Sequence, residues 1–180
     1  YCAEDAQLIK MIPGCEFVAP GTAKQFIQLF DQSYRNGHPT FFRVSDHPNK
    51  NYDPDVVFGK ANVIQRGSKA TVIAVSVMLD EVMEVCKDKD VTVLYYTTLE
   101  PFDHKTLADN CPANKILIVE PEYEGTLLYD VQRAIPGHAL QIEQVAFQRE
   151  IFRNYGSYDE KMEHYGLTAE RILQKLDTLL

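Results

Sequence analysis

The side chains that could do chemistry are few in this chain and widely spaced. Its five histidines (His38, His47, His104, His138 and His164) have no partner at helical ligand spacing, and an isolated exposed histidine is ordinarily a surface residue. Its four cysteines (Cys2, Cys15, Cys86 and Cys111) form no CxxC pair, so neither a zinc site nor a redox motif is indicated. Three of them sit among apolar neighbours, as buried free thiols do, and a reducing, cytoplasmic setting is expected. Gly14, Gly21, Gly37, Gly59 and Gly67 are isolated, and no phosphate-cradling loop or nucleophile elbow can be assembled from them. One cluster is well placed: Arg43 ends a predicted strand and is followed by Ser45, Asp46 and His47. Ligands of open α/β sheets lie beyond the carboxyl ends of the strands. A strand-end ion pair is the favoured reading of Arg43, and a substrate contact is the other. Glu120, Glu122 and Glu124 likewise follow a predicted strand and precede a helix, where the helix dipole favours carboxylates. Capping suffices there, and nothing in the sequence announces a reaction by itself.

The elements that must hold these residues alternate regularly. Residues 4–12 read as a helix, 15–19 as a strand, 22–36 as a helix and 39–44 as a strand. A polar stretch, 46–55, leads into a second unit. There, 63–66 reads as an edge strand ending in the turn Arg66-Gly67-Ser68. Residues 70–75 (Ala-Thr-Val-Ile-Ala-Val) form a short β-branched run of the kind buried on both faces of a parallel sheet. Met78, Val82, Val85 and Cys86 recur at helical spacing. Strands are expected at 91–96, 115–120 and 139–145, and helices at 125–134 and near the C-terminus. Asp103 is placed to cap a short helix reaching Cys111, and Thr168 to cap the last. Such alternation implies a largely parallel sheet covered by helices.

Two helices and two strands make only half of an open α/β sheet, and the chain opens on Tyr1 inside that unit. Half a sheet leaves apolar faces uncovered, so the chain reads as a fragment or a dissociable subunit. Its 180 residues leave room for one ordinary domain and part of another. A net charge of −8, spread without long single-sign runs, argues against binding a phosphate backbone. No apolar run is long enough to span a membrane.

The order of short segments carries a resemblance. Glu4-Asp5-Ala6 before Met11-Ile12-Pro13-Gly14, then Phe17-Val18-Ala19-Pro20-Gly21-Thr22-Ala23, resembles the "hxxEDxxxxRxIPNxxVxxPAD" stretch of transketolases, in the later half of their pyrimidine-binding domain. Pro39 to Arg43 is similar to the strand that follows. Val57-Phe58-Gly59-Lys60-Ala61, Thr71-Val72-Ile73-Ala74, Thr97 to Asp103, Val119-Glu120 and Tyr165-Gly166-Leu167-Thr168-Ala169-Glu170-Arg171-Ile172 resemble, in order, the landmarks of the transketolase C-terminal domain. The resemblance covers essentially the whole chain. It implies a three-layer α/β/α fold with a mostly parallel, five-stranded mixed sheet over 57–180. A linker (46–56) and a partial α/β pyrimidine-binding domain (1–45) would precede it.

The resemblance also implies a transferase of carbohydrate metabolism. Thiamine diphosphate and magnesium would assist transfer of a two-carbon ketol unit between sugar phosphates, in a homodimer or with a partner subunit carrying the missing N-terminal part. The family's GDG…N metal motif and its activating glutamate do not occur in this sequence. The chain alone is therefore expected to be inactive and to hold neither cofactor nor metal, with a structural, dimer-forming role. One departure concerns substrate. The family's "xLSRQN" arginine grips a substrate phosphate, and Asp46 stands about there in Arg43-Val44-Ser45-Asp46-His47-Pro48. Aspartate repels phosphate, so either Arg43 compensates as the substrate-binding residue or the substrate is not the usual sugar phosphate. Two alternatives stand beside this reading. One is part of the beta subunit of a 2-oxo-acid dehydrogenase, which Ile12-Pro13-Gly14 fits slightly better; the other is a non-catalytic α/β interaction module.

Overall fold

The computed structural model describes residues 3–152 and 155–180. Its centre is the expected β-branched run. Strand β4 (Thr71–Val75) is buried at every position. It lies between β5 (Thr92–Tyr96) and β7 (Lys115–Tyr123), parallel to both, with Ile73 opposite Leu94 on one side and Ile118 on the other. β8 (Gln141–Phe147) adds a parallel edge to β7. β3 (Asn62–Gln65) closes the other edge antiparallel to β5, giving the order β3-β5-β4-β7-β8. This is the mixed five-stranded sheet expected. β3 is half-buried throughout, and its Gln65 amide donates to the carbonyls of Cys86, Lys89 and Val91, a polar finish suited to an edge.

Helices cover both faces. α3 (Leu79–Cys86), entered through a 3₁₀ turn at Ser76–Met78, packs beside α7 (Ala169–Asp177) on one face. Val82, Cys86, Ile172 and Leu176 meet Val72, Ala74, Leu117 and Val119 there. α4 (His104–Asp109) and α5 (Leu128–Ala134) lie on the other, where Leu107, Leu127 and Val131 meet Ile73, Leu94, Ile116 and Ile118. The predicted caps form: the Asp103 carboxylate accepts from the Thr106 amide, and the Thr168 hydroxyl accepts from the Arg171 amide. α6 (Tyr158–Tyr165), not anticipated by periodicity, starts on a Ser157–Glu160 capping box and stops at left-handed Gly166.

The N-terminal unit consists of α1 (Asp5–Lys10), β1 (Glu16–Val18), α2 (Ala23–Ser33) and β2 (Thr40–Phe42). β1 and β2 pair in parallel, and Phe17 stacks on Phe41 at 5.3 Å. The third strand of this sheet comes from the other unit: β6 (Thr98–Glu100) pairs antiparallel with β1. The sequence reading has no such strand. Three residues give no periodicity to read, and the pairing is long-range. The polar stretch at 46–56 is fastened on both sides. Asp80 accepts from the amides of Lys50, Asn51 and Tyr52, and Gln28 and Gln32 of α2 accept from those of Val56 and Phe58. Among the described residues no helix is long and apolar enough to cross a membrane.

A candidate crevice at the strand ends

From β4 the chain passes through α3 to β5 on one side, and later through α4 to β7 on the other. The strand order therefore reverses at the β4–β7 pair, and the carboxyl ends of such a pair form the crevice where open α/β sheets bind ligands. A cavity of about 200 Å³ lies there, lined among others by Ser76 after β4 and Pro121 in β7. The N-terminal unit contributes Asp5, Arg43 and Asp46 to its wall, and α6 contributes Tyr158.

The floor is tightly built. Ser76 has left-handed backbone geometry (φ 55°), which costs a residue with a side chain and persists only where the surroundings enforce it. Its carbonyl accepts from the Asn49 amide at 3.0 Å, and its hydroxyl donates to the Pro20 carbonyl at 3.3 Å. Gly21 packs so close that a β-carbon there would lie 2.6 Å from the Ser76 carbonyl oxygen. The buried Gln25 side chain accepts from the Gly21 amide and the Tyr95 hydroxyl.

Arg43 stands at the strand end, as the sequence suggested, and its guanidinium donates to the fully buried Glu122 carboxylate. Asp5 of α1 is 3.3 Å from the same nitrogen. Burial raises the Asp5 pKa and the nearby guanidinium partly offsets that rise. Asp46 projects into solvent with its side chain 91 % exposed and meets the His47 ring at 2.8 Å, a hydrogen bond that lowers its pKa. His47 stacks flat on Tyr158, centroids 4.2 Å apart and planes 7° apart. Burial raises the Tyr158 pKa strongly. A second cavity of about 330 Å³ shares Asp46, Val77 and Tyr158 as walls and adds Lys50, Asp80, Glu81 and Asp159.

The carboxylates of β7 depart from expectation. They do not cap the next helix. β7 runs on to Tyr123, and Glu120 and Glu122 are both fully buried within it. Among the described residues no donor reaches the Glu120 carboxylate in good hydrogen-bond geometry, and burial pushes its pKa up to about 8 against the pull of Lys10 and the Leu127 amide. Lys10 is committed elsewhere, donating to Asp130 at 2.6 Å and to the Leu99 carbonyl at 2.8 Å. The sequence does not show this burial, because a strand expected to end at 120 continues to Tyr123. Of the histidines, His104 approaches Asp130 at 3.4 Å, while His38, His138 and His164 are exposed and line no part of the crevice. Cys86 is buried, and Cys15 and Cys111 are half-buried free thiols. Among the described residues no group of three His, Cys, Asp or Glu side chains could hold a metal ion.

No family model matches this chain. An uncharacterized 33.6 kDa protein in the fasciation locus of Rhodococcoides fascians is 28% identical over 98% of the chain and 57% of its own length. A 6-deoxy-6-sulfo-D-fructose transketolase subunit from Clostridium sp. (strain MSTE9) is 22% identical over 95% of the chain and 56% of its own. The chain thus spans a little over half the length of these relatives. Among solved structures, a split-gene transketolase, described as an inactive beta4 tetramer, superposes with TM-score 0.89 at 20% identity over 99% of this chain and 62% of its own. Transketolase from Campylobacter jejuni superposes with TM-score 0.71 at 14% identity, over 97% of this chain and 28% of its own. The fold is that of the C-terminal part of transketolases. The resemblance carried by the ordered sequence segments and the architecture agree.

Proposed function

We propose that this chain forms the C-terminal portion of a transketolase-like, thiamine-diphosphate- and magnesium-dependent transferase, moving two-carbon ketol units between sugars. On this reading residues 1–45 are the later half of the pyrimidine-binding domain, 46–56 the linker and 57–180 the C-terminal domain. The carrying observation is the superposition over 99% of this chain with a split-gene transketolase of which it spans 62%. The N-terminal sheet supports it: among the described residues β2 is an edge strand in the order β2-β1-β6, open to further strands. The remaining part would come from a further segment or a partner subunit, and the assembly would be a homodimer of the complete unit.

The described residues do not fit the cofactor on their own. They offer no metal-binding trio, and the carboxylates around the crevice oppose a diphosphate. On the proposed reading the chain alone is inactive and structural. Arg43 would line the substrate end of the site, with its charge already matched by Glu122 and Asp5. Calorimetric titration with thiamine diphosphate and magnesium tests this reading, using the chain alone and the chain joined to a segment supplying the rest of the transketolase unit. Binding and ketol transfer are expected only in the second case. Micromolar binding by the chain alone, worth about −8 kcal/mol, or no binding by either, would overturn it.

A further inference from the structure

Helix α1 is lightly held by apolar contacts. Within it only Ala6 is buried, in the cluster that also holds Ile118 and Leu127, and Ile9 packs against that cluster half-buried. Polar clamps fix the helix at both ends. At its first turn Asp5 lies 3.3 Å from the Arg43 guanidinium, which Glu122 also holds. At its last turn Lys10 crosses to the C-terminal unit, donating to Asp130 at 2.6 Å and to the Leu99 carbonyl at 2.8 Å. The side chains of Lys10 and Asp130 are only 12 % and 10 % exposed. A segment with so little buried apolar surface lies at the low-stability end of a fold, so its docking depends on these clamps.

Glu120 of β7 stands beside the second clamp. It is fully buried, and among the described residues no donor reaches either of its carboxylate oxygens. Lys10 is the cation that pulls on it, and that charge is already matched by Asp130. One lysine thus faces two carboxylates, and the buried set is neutral only while Glu120 keeps its proton. The other charged groups around it are committed or stand further out. His104 of α4 approaches Asp130 at 3.4 Å, and Glu100 at the end of β6 is half-buried and feels Lys10, Asp130 and His104. Arg133 of α5 lies over the Tyr129 ring, and Glu143 of β8 pairs with Lys175. Undocking of α1 would bring water to Glu120 and let it ionise as an exposed glutamate does.

We propose that Lys10, Asp130 and Glu120 form a proton-controlled latch, in which protonated Glu120 leaves the Lys10–Asp130 clamp closed and loss of that proton accompanies undocking of α1 from β7 and α5. Asp5 of α1 lines the crevice, so undocking also removes part of that wall. The latch is independent of the thiamine diphosphate reading, and its test contains no cofactor. Docked Glu120 holds its proton up to about pH 8, whereas an exposed glutamate releases it near 4.5. Opening of α1 therefore releases a proton across that interval and becomes up to about tenfold more frequent per pH unit. Hydrogen exchange of the chain, corrected for intrinsic rates, reads the opening. Between about pH 5.5 and about pH 7.5, protection over residues 3–12 should fall by about tenfold or more. Exchange there should be faster and less urea-dependent than in β4, because α1 opens without global unfolding. Glu120→Gln keeps the shape and should confine the fall to within about threefold, while His104→Asn should leave it in place. Protection over residues 3–12 that does not change with pH, or a rate and urea dependence equal to those of β4, would overturn the proposal. So would a fall that survives Glu120→Gln or disappears in His104→Asn.

Discussion

Arg43 and Glu122, 79 residues apart in sequence, form an ion pair that ties the end of β2 to the interior of β7. Asp5 of α1 lies against the same guanidinium nitrogen at 3.3 Å. Three elements thus meet on one cation, with Arg43 in the wall of the crevice and Glu122 buried behind it.

Breaking that pair from one side should be costly. Arg43→Met strands a fully buried carboxylate, and removal of one partner from a buried pair typically costs about 3–5 kcal/mol. Arg43→Met combined with Glu122→Gln should recover most of the loss, because replacing both charges together is often nearly neutral. Urea unfolding of the two single variants and the double variant measures the coupling. Additive effects would show that the two charges do not depend on each other.

The fold was largely legible in the sequence; of that pair, the strand-end ion pairing of Arg43 was readable and its partner Glu122, 79 residues away, was not. Buried strands such as Thr71–Val75 announce themselves by continuous β-branched residues, and Asp103 and Thr168 announce helix starts by type and position. β6 (Thr98–Glu100) gave no signal, because its partner β1 lies some eighty residues earlier. α6 was missed because it is polar on most of its surface, although Ser157 followed three residues later by Glu160 was a readable start. Arg43 and Asp46 were identified from their position after a strand. Tyr158, Ser76 and Pro121 of the same crevice were not, since only the strand order brings them together. The buried state of Glu120 was also hidden. It stands at the end of the expected strand, before Pro121 and a helix, whereas β7 runs on to Tyr123.

Stability should fall as pH rises towards 8 because of Glu120. An unfolded glutamate titrates near 4.5, while the folded side chain is pushed up to about 8. Between those values the folded state holds a proton that the unfolded state has released. This contribution is therefore absent below about pH 4.5, destabilises by about 1.4 kcal/mol per pH unit through the window, and levels off above 8. Glu120→Gln keeps the shape without the titration. The stability difference between variant and native chain should grow in the variant's favour from pH 5 to 8, as read by denaturant unfolding at several pH values. A difference independent of pH would show that Glu120 titrates normally in the fold.

Gly21 should tolerate no side chain. A β-carbon there would lie 2.2 Å from the Tyr95 hydroxyl, 2.3 Å from the Asn49 amide nitrogen and 2.6 Å from the Ser76 carbonyl. Overpacking of this kind costs about 1–3 kcal/mol, and here one obstacle is backbone. Gly14 makes a useful control: its φ is 77° with open space around it, so Gly14→Ala should cost about 1–2 kcal/mol from backbone strain alone. Thermal unfolding should rank Gly21→Ala as the more damaging. Gly21→Ala should also disturb the Ser76 turn and weaken any ligand held in the crevice.

The last prediction concerns association. α2 turns Gln25, Leu29 and Ser33 inward and leaves Ile27 at 60 %, Phe30 at 42 % and Tyr34 at 50 % exposure. Phe30 stacks on Tyr34 at 5.2 Å, and Phe26 packs edge-on against Phe42 of β2 at 5.4 Å. This aromatic face therefore adjoins β2, whose outer edge is unpaired among the described residues. An apolar face beside an open edge invites either further strands or another copy. With no partner present, the chain should self-associate at low micromolar concentration, and a two-fold dimer is the commonest closed form. Ile27→Asp with Phe30→Asp should yield a monomer of unchanged helix and strand content, since both side chains point outward. Sedimentation and circular dichroism read the two outcomes. A native chain that remains monomeric while residues before Pro39 stay protected from proteolysis would show that this face needs no cover.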